Sequence, residues 1–227
     1  MGTMTLADFR EDLRYSLGGA NTADYSTGWL DRRINQTYLW VSMPNHYRHP
    51  ELEATEYLVL VADTAEYATA NTYYMIYGVA HIEDDTNPPP VTARSNKLDP
   101  TDMRELMTID RQERQPRLYC YWNNEIVTAS VPDTTSVGQL LEVRGYQQPD
   151  ILGAVGTATV LKPEWDEIIT KGAEWRGWSM LNEADRALEA KQEFGAMVNE
   201  IADVRRALAE DWGWQNQATG YTNMRTD

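Results

Sequence analysis

Tyr73-Tyr74-Met75-Ile76-Tyr77-Gly78-Val79-Ala80 is the stretch that decides the fold class. β-branched and aromatic residues crowd it and no 3.6-residue period runs through it, so it reads as a strand. Glu56-Tyr57-Leu58-Val59-Leu60-Val61 reads the same way upstream. Downstream, Leu118 to Trp122 and Glu125 to Val131 flank Asn123-Asn124. Asn tolerates positive φ, so this is a tight-hairpin signal. Gln139 to Tyr146 completes the strand block. Inside the block, Asn87-Pro88-Pro89-Pro90 reads as an extended surface loop. Asp99-Pro100 reads as a cap with proline at the first helical position, opening a short helix through Met103, Leu106 and Met107.

The period changes on both sides of this block. Leu6, Phe9, Leu13 and Leu17 recur at helical steps, with Thr5 and Asp8 placed as a capping box and Gly18-Gly19 as a stop. Leu30, Ile34, Tyr38 and Val41 stripe a second helix from about Thr27, which Pro44 ends. After the strands, a helix is expected from Pro163, with Trp165, Ile168, Ile169, Gly172, Ala173 and Arg176 on one face. Asn182 separates it from a second helix over Ala184 to Asp211, roughly 42 Å long at 1.5 Å per residue. The order of elements predicts an α+β fold. Its expected form is an α-helical bundle from the N- and C-terminal helices, with an inserted antiparallel β domain and an extended C-terminal arm. The corresponding segments are 1–48, 49–160, 161–211 and 212–227.

Charge narrows the function. Over 227 residues there are 20 Lys+Arg and 35 Asp+Glu, a net charge of −15. Such a chain does not gain affinity for nucleic acid by releasing phosphate counterions. The single cysteine, Cys120, excludes an intrachain disulfide and a multi-thiolate metal site. No apolar run approaches the roughly 20 residues a membrane helix needs, and Met1-Gly2-Thr3-Met4 lacks the pattern of a secretion signal. A soluble protein of a reducing compartment is expected. With 8 Trp and 13 Tyr against 2 Phe, the aromatics are amphipathic, and 16 of the 20 basic residues are Arg. Both biases suit protein–protein contacts.

Catalytic patterns are absent from the sequence. His46 and His49 lie in a turn-like segment without a third ligand, where zinc wants three or four. His81 has no Ser or Cys motif to serve, and Cys120 reads as a small buried strand residue. Glu83-Asp84-Asp85 reads as an acidic loop, because adjacent acids in extended chain point to opposite sides. No metal and no cofactor are expected. Gly172, Ala173 and Gly177 interleave with Trp165, Trp175 and Trp178. The small residues receive rings either from the chain's own helices or from a neighbouring subunit, and on the second reading these three Trp are subunit-interface residues. The tail from Trp212 reads either as a frayed end or as an arm that orders on a partner, anchored by Trp212, Trp214, Tyr221 and Arg225.

The segment Trp29-Leu30-Asp31-Arg32-Arg33-Ile34-Asn35-Gln36-Thr37-Tyr38 is similar to the early helix of tailed-phage head–tail adaptor (connector) proteins. The later succession resembles them too: Gln115-Pro116-Arg117-Leu118-Tyr119-Cys120-Tyr121-Trp122, Leu140 to Tyr146, Pro149 to Leu152, Pro163-Glu164-Trp165, and Leu181 to Ala187. The resemblance covers roughly residues 5 to 210 in order, with loose individual motifs. It implies a structural, non-enzymatic homo-oligomer, usually a dodecameric ring, in the virion neck. Such a ring binds the portal protein above and a tail or nozzle protein below. DNA passes through without sequence-specific binding, no membrane is involved, and the C-terminal arm reaches the portal. Two other readings remain at this point: a carbohydrate-binding or glycoside-cleaving β domain, and a tail-side structural protein that never contacts the portal.

Overall fold

The structure, a computed structural model, describes residues 4–19, 25–44, 48–109, 111–153 and 156–211, with side chains up to residue 201. Its helices are α1 (Leu6–Ser16), α2 (Thr27–Val41), α3 (Met103–Thr108), α4 (Asp166–Met180) and α5 (Ala184–Asp211). The strands are β1 (Glu53–Val59), β2 (Glu66–Ala68), β3 (Tyr73–Ile82), β4 (Ser95–Lys97), β5 (Asp99–Pro100), β6 (Leu118–Trp122), β7 (Glu125–Thr128) and β8 (Leu140–Gln147). The fold is α+β. The chain divides into two compact units: a helical one from Met1–Val41 and Ile151–Asp227, and a strand-rich one from Ser42–Asp150.

In the helical unit, the Thr5 side chain accepts from the Asp8 N–H and the Asp8 carboxylate accepts from the Thr5 N–H, at 3.4 and 2.8 Å. The capping box expected from the sequence is therefore in place at the start of α1. Leu6, Phe9 and Leu13 of α1, Leu30, Ile34 and Tyr38 of α2, and Trp165, Ile168, Ile169 and Ala173 around α4 form its core. Arg10 and Asp31 join α1 to α2 through two bonds of 2.6 and 2.8 Å. Asn182 takes the left-handed conformation, φ 59°, and separates α4 from α5. Gly172 is required by close approach: a Cβ there would stand 2.5 Å from Thr37 Cγ2 of α2 and 2.8 Å from the Phe194 ring of α5.

Residues 151–153 and 156–160 travel with the helices although they form none. Asn35 grips the Leu152 backbone from both sides, accepting its N–H at 2.7 Å and donating to its carbonyl at 3.1 Å. The Thr157 carbonyl accepts from the Leu6 N–H at 2.9 Å, and the Val160 N–H donates to the Tyr38 hydroxyl at 3.3 Å. The segment's polar backbone is thus satisfied by α1 and α2, which puts the break in the chain at 150/151.

The strand unit holds two sheets, ordered β1-β8-β3-β4 and β2-β7-β6-β5. Leu60, Tyr67, Tyr73, Val79, Leu98, Tyr119, Ile126, Leu141 and Val143 form one core drawn from both. Asn123 and Asn124 have φ 50° and 62°, the paired positive values a two-residue hairpin between β6 and β7 needs. Two expectations are corrected here. The second sheet is mixed, because β5 pairs parallel to β6. Asp99-Pro100 therefore forms an edge strand, where proline's missing N–H costs no ladder bond. The helix after it starts at Met103 and is capped by Asp102, which accepts the Glu105 N–H at 2.8 Å.

Candidate interaction surfaces

No reacting centre assembles among the described residues, and no group of three or more His, Cys, Asp and Glu side chains comes together to hold a metal. His49 and His81 are buried, and His81 Nε2 lies 2.7 Å from the Gln139 side-chain oxygen. His46 lies outside the described residues. Burial, with Asp102 nearby, pushes the Cys120 thiol up, away from the reactive thiolate. Glu83 is taken by Asn96 at 2.7 Å and Arg94 at 3.8 Å. The strand aromatics that could have stacked a sugar fill the core instead. Tyr73 and Tyr119 are buried and Tyr73 meets Tyr121 edge-on at 6.1 Å, leaving Trp122 at the hairpin as the exposed ring, 61% accessible.

In the strand unit, several charges are paired within the unit. Glu142, 8% exposed, accepts from Arg144 at 2.9 Å and from the Tyr57 hydroxyl at 3.4 Å. Arg48 lies over the Tyr77 ring at 5.2 Å and also pairs with Glu53 at 2.9 Å. Glu56 receives the Tyr73 hydroxyl at 3.2 Å and the Ala70 N–H at 2.6 Å. Burial and the neighbouring Glu56 keep the Tyr73 phenol protonated up to about 12, against a lowering by Asn71.

The helical unit is arranged differently. On one side of α4, Arg33 of α2 lies over Trp29 at 5.5 Å and Arg176 of α4 over Trp175 at 4.9 Å. Arg176 Nε donates to Thr37 Oγ1 at 3.1 Å and an Arg33 terminal nitrogen donates to Gln36 at 2.9 Å. Neither guanidinium meets a carboxylate among the described residues. Burial lowers the pKa of both, and each feels a like charge: Arg176 that of Arg33, and Arg33 that of Arg32. Lys191 of α5 reaches the same Trp175 ring at 5.3 Å. Trp175 and Trp40 both meet the Phe194 ring, at 5.9 and 5.3 Å. The result is a half-buried aromatic surface carrying three cations.

On the α1 side of α4 runs a cleft of about 600 Å³ lined by Asp12, Tyr15, Asp166, Glu167 and Glu174 among others. Asp166 is buried at its floor, accepting the Met4 N–H at 2.7 Å and the Thr159 hydroxyl at 3.1 Å. Burial raises its pKa despite those bonds. The Asp12 carboxyl is raised as well, by burial and then by Glu11 and Asp8. Lys171 is the cation at the cleft, held at 2.8 Å by both Glu174 and Glu193.

Of the three tryptophans expected at a subunit interface, Trp165 is 1% exposed and packs inside its own unit, so its ring offers no surface. Trp178 is also buried, its indole N–H 3.3 Å from Glu174 and its face covered by Arg186 at 4.6 Å. Trp175 alone is partly open. Gly172 and Gly177 receive Phe194, Thr37, Leu17 and Trp29 of the same chain. The arm residues Trp212, Trp214, Tyr221 and Arg225 lie outside the described residues. Sequence reading missed Arg33 and Arg176. A Trp29–Arg33 pair at i, i+4 is visible on one helix face, but Arg176 joins it only through the packing of α2 on α4.

No curated protein matches the chain. No described helix is long and apolar enough to cross a membrane. A sequence model of SU10 adaptor proteins matches residues 4–219, across both units and almost the whole length. On that match, the chain belongs to the SU10 adaptor protein family, a family of phage head–tail adaptors and so of virion structural proteins.

Proposed function

We propose that this adaptor works as a homo-oligomeric ring, a dodecamer, docked on the portal protein above and on a tail or nozzle protein below, with the DNA exit path through its centre. The observation that carries the ring is the helical unit's aromatic face, where three cations lie over tryptophans without a carboxylate among the described residues. A surface of this kind is incomplete in a single copy and gains from a neighbour. The chain's net charge of −15 suits a conduit, since acidic walls repel phosphates and let the duplex slide.

Trp175 takes the interface role, with Trp165 and Trp178 behind it fixing the helix that presents it. Trp212, Trp214, Tyr221 and Arg225 serve as the portal-binding arm. Imaging the full chain mixed with its portal by electron microscopy tests the reading: a ring seated on the portal is expected, and persistent absence of any co-complex overturns it. Deleting Gln215 to Asp227 is expected to abolish portal docking with the core still folded. Unchanged docking removes the arm from the proposal.

A further inference from the structure

Resting on that ring reading, we infer that the Arg33–Arg176 pair is the donor half of a head-to-tail contact between copies, and that its partner is the carboxylate cleft between α1 and α4 of a second copy. Arg33 is 8% exposed, yet its Nε has no acceptor among the described residues. A buried, ionised donor left without an acceptor is costly, and two like charges side by side add to that cost. Each plane rests on an indole, which fixes the fork that a carboxylate engages with two bonds.

Charge complementarity chooses the occupant. The cleft carries Asp12, Asp166, Glu167 and Glu174, with Lys171 already committed to Glu174 and Glu193. Asp12 is raised first by burial and then by its acidic neighbours Glu11 and Asp8, a local negative charge that an incoming cation relieves. Tyr15, 87% exposed, stands at its rim as an apolar surface for a neighbour's ring.

Placement makes the contact self-propagating. Arg176 follows Glu167 on α4 by two and a half turns, which sets the two side chains about 180° apart around the helix. One helix thus carries a donor on one side and an acceptor on the other. A contact between unlike patches adds copies in one rotational sense, and closes a ring when the rotation allows. A phosphate could also sit on two arginines. The aromatic setting and the acid-rich chain favour a protein carboxylate.

Two double variants of the full chain test this, each studied alone and with the portal by native mass spectrometry. One removes the donor (R33E/R176E) and the other neutralises the acceptor (D12N/E167Q). Wild type is expected to form rings and neither variant to do so. Mixed in equal amounts, the variants are expected to give a heterodimer and nothing larger, since only one good contact remains between them. Rings from either variant, or no heterodimer beside a ring-forming wild type, overturn this contact and leave the ring reading standing. A wild type that forms no ring even on its portal overturns both.

R33Q/R176Q guards against misfolding. It is expected to keep the wild-type circular dichroism spectrum and to associate at least about tenfold more weakly. A spectrum like wild type with unchanged association overturns the proposal. So does an intact ring whose affinity for duplex DNA falls, which makes the pair a phosphate contact. Loss of self-association on deleting Gln215 to Asp227, with the arginines intact, overturns it in favour of the chain's own tail.

Discussion

In the strand unit, the cation that lies over an aromatic ring, Arg48 on Tyr77, also has a carboxylate, Glu53. In the helical unit Arg33, Arg176, Arg186 and Lys191 all lie over indoles, and none meets a carboxylate among the described residues. The helical unit has acids in plenty, gathered instead in the cleft along α1 and α4. The strand unit's ring-stacked cation is paired within its own unit; the helical unit pairs Arg10 with Asp31 and Lys171 with Glu174 and Glu193, but leaves its indole-stacked cations apart from the acids of that cleft. Under the proposed ring, that difference favours the helices as the self-assembly surface.

The largest effect tests whether the helical unit's assembly surface stands on a rigid core. Trp165, at the start of α4, is 1% exposed, buried to the same degree as Leu6, Ile168 and Ile169. Trp165→Ala is expected to destabilise the chain by about 3–5 kcal/mol, as loss of a large buried ring does. Urea unfolding followed by circular dichroism measures it. A cost below about 1 kcal/mol would mean the helices are not held by this core.

In the strand unit, Arg144→Gln is the counterpart. It leaves Glu142 buried with only the Tyr57 hydroxyl at 3.4 Å. An under-satisfied buried carboxylate sets the expected cost at about 1–3 kcal/mol. The same unfolding measurement applies, and a neutral result would show that this unit does not depend on internal pairing.

The pH responses should differ next. Burial raises the Asp166 pKa above 3.8, so the folded helical unit holds that proton more tightly than the unfolded chain does. Its contribution to stability is full below about pH 4 and is lost as pH rises through the folded pKa. Asp166→Asn removes this loss, so its melting temperature relative to wild type should improve from pH 4 to pH 7. In the strand unit, Tyr67 and Tyr73 are pushed up to about 12, chiefly by burial. The stability they contribute is present below 10 and lost as pH rises towards 12. Absorbance at the phenolate band should show a late-ionising group of tyrosines, Tyr67, Tyr73 and Tyr146 among them, together with unfolding.

Much of this contrast was legible before the structure, but not the part that matters most. Thr5 and Asp8 declare their helix start because the capping box is local, and Asn123-Asn124 declares its hairpin because positive φ is local. Asp99-Pro100 misled because an N-cap signal three residues early competes with the true one at Asp102, and only the parallel pairing with β6 decides. The three-residue strands β2 and β4 are too short to carry a period. A tryptophan beside small residues looks the same in sequence whether the cavity is its own or a neighbour's, and only the fold shows the Trp165 ring buried within its own chain. Arg33 and Arg176 are 143 positions apart (176 − 33). Nothing local brings them together; Gly172 does, by letting α2 and α5 approach α4 closely enough for Thr37 to touch Arg176.

The smallest expected effect discriminates best. Removing a paired charge should hurt a unit that is complete, while removing an unpaired one should not hurt a unit that is waiting for a partner. Arg176→Gln keeps an amide donor for Thr37 Oγ1 and takes away the like charge beside Arg33. It forfeits one cation–π contact, worth about 0.5–1 kcal/mol at an exposed site, while Lys191 remains over the same Trp175 ring. These terms oppose each other, so the stability of the free chain should change by less than about 0.5 kcal/mol. Self-association should weaken in the same sample. A stability loss comparable to Arg144→Gln would show instead that Arg176 already has its partner within the chain, and the contrast between the two units would be gone.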